Sequence, residues 1–188
     1  MMVALYVVIG VVVVLGFIFF GVYNSLVRLR NQVRNSWSQI DVQLKRRHDL
    51  IPNLVETAKG YMAHERQTLE AVTKARTSAV EASGRGVGQQ AKAEGELSGI
   101  LTRFFAVAES YPDLKANQNF LALQEELTST ENKISFARQF YNDGVMHFNN
   151  RVQMFPSNMM AGMTGFKVGE FFELEAPAER DVPKVSFT

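Results

Sequence analysis

The sequence predicts an all-α protein: an N-terminal transmembrane helix continuous with a long antiparallel four-helix bundle, followed by an irregular C-terminal tail. Three observations predict this class. Residues 1–23 carry no charged side chain, the apolar residues after them recur in steps of three, four and seven, and three of the five prolines lie at or beyond Pro156. The 188 residues thus divide into an anchor at 1–23, a helical bundle at 24–156 and a tail at 157–188.

The opening stretch, residues 1–23, is long enough to cross a bilayer as one helix. About 20 apolar residues in a helix cover the roughly 30 Å of a hydrocarbon core. Inside lipid a helix satisfies its own backbone, even where a valine-rich sequence would favour a strand in water. A cleaved signal peptide and a buried core helix are the alternatives. No Lys or Arg precedes the apolar run and bulky residues follow it, which favours a retained anchor.

Basic residues follow the anchor and predict its orientation. Only one acid, Asp41, lies among six basic residues: Arg28, Arg30, Arg34, Lys45, Arg46 and Arg47. Positive charge beside a membrane span favours the cytoplasmic side, so we expect the amino terminus outside and the bundle in the cytoplasm. The alternative is that these charges form a solvated helix face.

The composition excludes several kinds of chemistry. The chain has no cysteine, which removes disulfides, zinc–thiolate sites and thiol catalysis. The formal net charge is +1, so nothing indicates a nucleic-acid partner. About 160 residues after the anchor are enough for one ordinary hydrophobic core.

The first two predicted helices meet at Pro52. Helical spacing places one apolar seam on the first helix: Leu26, Val33, Trp37, Ile40 and Leu44. Proline disfavours helix at the preceding residue and fits a first helical turn, so the second helix is predicted over 52–82. Its predicted apolar face is: Leu54, Val55, Ala58, Tyr61, Met62, Leu69, Val72, Ala75 and Ala79.

Two further helices follow a glycine-rich connection at 83–88. The third is predicted over 89–109, with an inward face of Leu97, Leu101, Phe104, Phe105 and Ala108. Ser110 and Pro112 form a start signal for the fourth, predicted over 113–155. Its seam repeats in threes and fours: Phe120, Leu123, Leu127, Thr130, Ile134, Ala137, Tyr141, Val145, Phe148, Val152 and Phe155.

The tail at 157–188 is too apolar for a free segment, although it has no sustained period. We expect it to pack on its own bundle or on a neighbouring copy, with residues 177–188 loose. The residues proposed as oligomer contacts are apolar: Met159, Met160, Met163, Phe166, Phe171 and Phe172.

No motif predicts a catalytic, cofactor-binding or metal-binding residue. His64 and Glu65 resemble the start of a zinc-protease motif, but position 68 is Thr where the second histidine should stand. The three histidines are far apart in sequence and on separate predicted helices. The glycines at 84–88 lack the Lys-Ser/Thr of a phosphate loop and no predicted strand precedes them. We therefore expect neither enzyme activity nor a cofactor.

Several segments together resemble the LemA family. They cover nearly the whole chain: YNSLV at 23–27, NQV at 31–33, WSQIDVQLKRRHDLIPNLV at 37–55, YPDLKA at 111–116, TENKI at 130–134, YN at 141–142 and FPSN at 155–158. The resemblance implies a bacterial single-pass protein of the cytoplasmic membrane with a long helical bundle. It implies no established enzymatic activity and no catalytic residues. Family members lie near membrane proteases and stress proteins, and one relative occurs in magnetosome membranes.

The matched residues suggest a structural polar cluster rather than a reaction. Its proposed members are charged or amide side chains: Arg46, Arg47, Asp49, Asn53, Glu131 and Asn132. By analogy with the family, the function predicted is a non-enzymatic scaffold that self-assembles and organises or remodels the lipid bilayer. The alternative is a monomeric adaptor that binds another membrane protein, such as a protease or transporter.

Overall fold

A computed structural model describes residues 1–173, which form helices and no strand. In chain order the helices are: α1 (Met2–Lys59), α2 (Arg66–Ala82), α3 (Val87–Ala108), α4 (Pro112–Lys115), α5 (Gln118–Gln153) and α6 (Ser157–Thr164). The all-α prediction is confirmed, and so is the continuity of the apolar stretch with the helix that follows it.

The chain divides into two compact units. The first unit contains Met1–Ile40 and Ala137–Glu170, and the second contains Asp41–Phe136 and, of the described residues, also 171–173. Both α1 and α5 therefore contribute to each unit. The two units are described separately below.

In the first unit, α1 and α5 pack antiparallel over an apolar seam. Leu26 of α1 is buried with Phe148 of α5 in one cluster, and the rings of Trp37 and Tyr141 lie 5.2 Å apart, edge to face. Buried Gly144 lies between these layers, beside Val33 of α1. The predicted seam of the long helix is thus the packed face of α5.

Gly144 offers a first testable prediction. A Cβ there would lie 3.7 Å from Cγ2 of Val33 and 4.0 Å from Oγ of Ser36, which is ordinary van der Waals contact. Gly144→Ala is therefore expected to raise the free energy of unfolding by about 0.5–1 kcal/mol, because alanine loses less backbone entropy in a helix.

Chemical denaturation in detergent, followed by circular dichroism, measures this change. Gly165→Ala is a control that should instead lower the free energy of unfolding. Gly165 ends α6 at φ 75°, a backbone conformation in which a Cβ is unfavourable. A loss of stability in Gly144→Ala would contradict the spacing between α1 and α5 described here.

The second unit has its own apolar core, to which α1 to α5 contribute. Its most deeply buried members are large aliphatic and aromatic side chains: Ile51, Leu54, Met62, Val72, Leu97, Phe104, Leu114, Phe120 and Leu127. The inward faces predicted for the third and fourth helices supply many of them. Within this unit α2 and α3 pack against each other.

The predicted helix boundary at Pro52 is wrong. Helix α1 runs through Pro52 to Lys59, and α2 begins at Arg66 after a turn. Proline has no N–H, so the carbonyl of His48 loses its helical partner. Nε of Arg76 on α2 donates a hydrogen bond to that carbonyl at 2.8 Å, which satisfies the orphaned acceptor and lets the helix continue.

The other departures concern the ends of the predicted fourth helix. Its start is interrupted after the single turn α4, and α5 begins where the side-chain oxygen of Asn117 accepts a hydrogen bond from the Phe120 N–H at 3.0 Å. Its end falls at Gln153, so Phe155 leaves the seam and is 78% exposed. The tail contains the helix α6 instead of being irregular throughout. The loose segment predicted at 177–188 lies outside the described residues.

Candidate functional site

A buried cluster of charged side chains joins three helices of the second unit. Arg47 of α1 and Glu94 of α3 are each 1% exposed and form a direct ion pair. Nη1 of Arg47 also lies 2.6 Å from Glu131 Oε2 on α5 and 2.9 Å from Ser98 Oγ. On the other side of Glu94, Oε1 lies 2.8 Å from Nε2 of buried His48.

Helical spacing explains why a carboxylate lies in the core. Glu94 stands three residues before Leu97 and seven before Leu101, so it occupies the apolar face of α3. Arg47 lies three residues after Leu44 on the buried face of α1. A buried charge is costly unless it is paired and hydrogen-bonded, and here each charge is the partner of the other.

The cluster keeps Glu94 ionised. Burial by itself raises the pKa of Glu94, but the hydrogen bond from His48 and the positive charge of Arg47 outweigh burial, so the pKa lies below its ordinary value. Since both Arg47 and Glu94 are closed to solvent, no substrate can reach them. The pair fixes the register between α1 and α3, because sliding either helix by one turn would leave a buried charge unpaired.

The structure brings together only part of the polar cluster proposed from the sequence. Arg47 and Glu131 meet in the buried cluster, and Arg46 pairs with Glu126 on the surface, where both side chains are 48% exposed. The remaining members are exposed and make none of these contacts: Asp49, Asn53 and Asn132. The sequence analysis missed Glu94 and Ser98. For Glu94 a signal existed, since a charged residue stood in an apolar register.

The described part of the tail is fixed to its own chain in the first unit. Met160 and Ala161 of α6 are buried beside Leu26 and Phe148. Nδ2 of Asn149 donates to the Gly169 carbonyl at 3.0 Å, and the Gly169 N–H donates back to Oδ1 at 2.7 Å.

Tyr141 makes a second attachment of the tail. Its hydroxyl donates to the Glu170 carbonyl at 2.9 Å. Burial, followed by the charge of Glu170, raises the pKa of Tyr141 to about 12. The hydroxyl therefore remains a neutral donor at physiological pH, and this attachment is insensitive to pH in that range.

These contacts limit which tail residues can reach another molecule. Met160 and Phe172 are buried, and Phe166 is partly buried. Among the six residues proposed as oligomer contacts, the exposed ones are Met159, Met163 and Phe171.

One helix of the described residues is long and apolar enough to cross a membrane, and it is α1. Its most apolar window of 18 residues has a mean hydropathy of 3.0, and none of that window is buried. In water such a surface would be a large unpartnered apolar patch. Within residues 1–173 no group of three or more His, Asp or Glu side chains is placed to hold a metal ion.

The outward face of α5 in the second unit is a further exposed surface. Leu121 and Phe136 stand at its two ends and are exposed, with Thr128 between them. Glu125 and Lys133 lie on the same face, and neither forms an ion pair within the described residues. We call the face from Leu121 to Phe136 the outer α5 face.

The model of the LemA family matches residues 36–187. The chain belongs to the LemA family. Over 83% of its own length, this LemA-family chain is 28% identical to Magnetosome protein MamQ 2 of Paramagnetospirillum magneticum. It is also 28% identical to Protein LemA of Metamycoplasma hominis over 77% of its length. In each case the match covers 66% of the relative, so the chain spans just under two thirds of these proteins.

Proposed function

We propose that this LemA-family protein is a membrane-anchored scaffold that assembles with further copies of itself. The observation that carries the proposal is a wholly exposed apolar stretch on the same helix, α1, as the packed seam of the bundle. The buried charged side chains of the second unit hold its helices together, and they form no site that is open to solvent. Two relatives are named magnetosome proteins, which is consistent with a role at a membrane.

The outer α5 face supports assembly between identical copies. A twofold contact must be complementary to itself, and this face is complementary when two copies of α5 run antiparallel. Copies in detergent or in two facing bilayers can meet in this way, whereas the α5 helices of two upright copies in one bilayer would run parallel. Glu125 of one copy then lies near Lys133 of the other, and Leu121 lies near Phe136, because each pair is almost symmetric about residues 128–129. A parallel contact in register would place like charges together, which is unfavourable.

A charge-reversal series tests this contact. Glu125→Lys should place two lysines opposite each other at both ends of the contact and raise the dissociation constant by about tenfold. Adding Lys133→Glu should restore the wild-type value, because the charges are exchanged. The stoichiometry and dissociation constant are measured by sedimentation in detergent over a range of protein concentrations.

The matched control is Glu96→Lys, which makes the same charge change at an exposed position of α3. It should leave association unchanged. Equal weakening by Glu96→Lys and Glu125→Lys would indicate a general charge effect. No rescue by the second substitution would remove the outer α5 face from the proposal.

The competing function, a monomeric adaptor, gives a different result in detergent-solubilised membranes. A photo-crosslinking residue in place of Phe136, which is 73% exposed, should capture the protein itself. Capture of foreign membrane proteins alone, together with a monomer at micromolar concentration in detergent, would favour the adaptor and contradict self-assembly.

A further inference from the structure

We propose that the turn after α5 and helix α6 form a second membrane-contacting element, which inserts apolar side chains into the same bilayer as the anchor. This inference rests on the proposed anchoring through residues 1–23. We call this element the lipid foot. Its four inserting side chains are all exposed in the structure: Met154, Phe155, Met159 and Met163.

The register of the first unit places the lipid foot beside the end of the anchor. Val22 of α1 and Val152 of α5 pack against the same cluster of Leu26 and Phe148. Since α1 and α5 run antiparallel here, the end of α5 at Gln153 lies near the level of Val22. Phe155 is in the turn that follows α5 and precedes α6, so it lies close to the end of the apolar stretch.

The thickness of a bilayer gives the depth at which these residues would lie. Residues 2–23 of a helix span about 33 Å, slightly more than a hydrocarbon core of roughly 30 Å. When those residues cross the membrane, Val22 and Tyr23 stand at the boundary between acyl chains and headgroups. A segment that packs at the level of Val22 must meet that boundary too.

Helix α6 is held at this depth by its buried face. Met160 and Ala161 pack on the Leu26 cluster, and Phe166 after the helix makes an edge contact with Tyr23 at 6.1 Å. Met159 and Met163 are one turn apart on α6 and are 64% and 77% exposed. The helix is thus fixed on one side and apolar on the other.

Basic residues border the lipid foot as expected at a headgroup layer. The guanidinium of Arg30 lies 5.0 Å from the centre of the Phe166 ring, and Lys167 follows in sequence and is exposed. Apolar insertion flanked by Lys or Arg is the usual pattern of interfacial membrane segments. A bilayer satisfies both the apolar tips and the basic border, whereas a second copy would have to supply anionic groups beside an apolar groove.

Tryptophan fluorescence in vesicles tests the depth of Phe155. The chain has one tryptophan, so the full-length protein with Trp37→Phe provides a background that keeps an aromatic ring against Tyr141. Single tryptophans are then placed by Phe155→Trp or Met163→Trp. The protein is reconstituted in phosphatidylcholine vesicles with or without bromine on the acyl chains. We expect bromination to reduce the emission at either position by about twofold or more.

Phe140→Trp is the matched control, since Phe140 is an aromatic residue of α5 in the same unit and is 49% exposed. It lies 13 residues before the end of α5 at Gln153, about 20 Å along the helix, and its emission should not change with bromination. Phe17→Trp reports the anchor itself and should be quenched.

The outcomes separate the lipid foot from the anchor. Quenching at position 17 but not at 155 and 163 would overturn the lipid foot and leave the anchoring intact. No quenching at position 17 would overturn the anchoring on which the inference rests. A tryptophan at position 155 could instead become shielded from water as the protein density in the vesicles rises, with no change on bromination. That result would assign the surface to a second copy and also overturn the proposal.

Discussion

Replacing Arg47 by methionine is expected to lower the free energy of unfolding by about 3–5 kcal/mol. The substitution leaves the carboxylate of Glu94 buried without its cation, and removing one partner of a buried ion pair has this order of cost. Urea denaturation in detergent, followed by circular dichroism, measures the change. Arg46→Met is the control, because its partner Glu126 lies at the surface, and it should cost about 1 kcal/mol or less.

The double variant Arg47→Met/Glu94→Leu distinguishes pairing from packing. Replacing both charges by apolar groups of similar size removes the unpaired carboxylate, and such replacements are often neutral or stabilising. We expect it to recover more than half of the stability lost in Arg47→Met, which a double-mutant cycle reports as a coupling energy. Additive losses would contradict the ion pair as the source of the effect.

The same cluster predicts how stability depends on pH. The folded-state pKa of Glu94 lies below its ordinary value of 4.5, so the folded state binds this proton more weakly than the unfolded state. Its contribution is therefore fully present above about pH 4.5 and is lost as the pH falls through the lower folded-state value. Denaturation titrations from pH 7 down to pH 3 should show a steeper loss in the wild type than in Glu94→Leu.

The second large effect is expected in the anchor. Two lysines in its middle, Ile9→Lys with Val13→Lys, should abolish stable insertion, because each central lysine costs about 2.5–3.5 kcal/mol. The protein should move from the membrane pellet to the supernatant after an alkaline carbonate wash. Val42→Lys with Val80→Lys adds the same charge at exposed positions outside the anchor and should remain in the pellet.

The intact mass of the wild-type protein separates a retained anchor from a cleaved signal peptide. The anchor account requires residues 1–23 to be present on the protein recovered from membranes. A wild-type mass that lacks this stretch, or lysine variants that stay fully in the pellet, would contradict it.

Periodic segments of this chain could be predicted from sequence, because each long helix buries one continuous face. The seam from Phe120 to Val152 follows this rule and is the packed face of α5. Phe155 has the right spacing but lies beyond the end of the helix at Gln153, so the period no longer applies to it.

Contacts between distant residues explain what the sequence analysis missed. Pro52 has a strong local preference to break a helix, and the residue that offsets it, Arg76, lies 28 positions after the carbonyl that it binds. Helix α6 has only eight residues, too few to show a period. Glu94 was readable in principle, since its register was apolar, but its partners Arg47 and His48 are identified only when α1 and α3 are seen packed.

Counting the copies in each particle of detergent-solubilised protein tests the central claim most directly. The chain lacks cysteine, so Ser78→Cys on the exposed face of α2 gives one fluorophore per copy, and photobleaching steps count the copies in each immobilised detergent particle. The account predicts that wild-type particles bleach mostly in two or more steps and that Glu125→Lys shifts them to one. Single steps for both proteins at every protein concentration would contradict a self-assembling membrane scaffold.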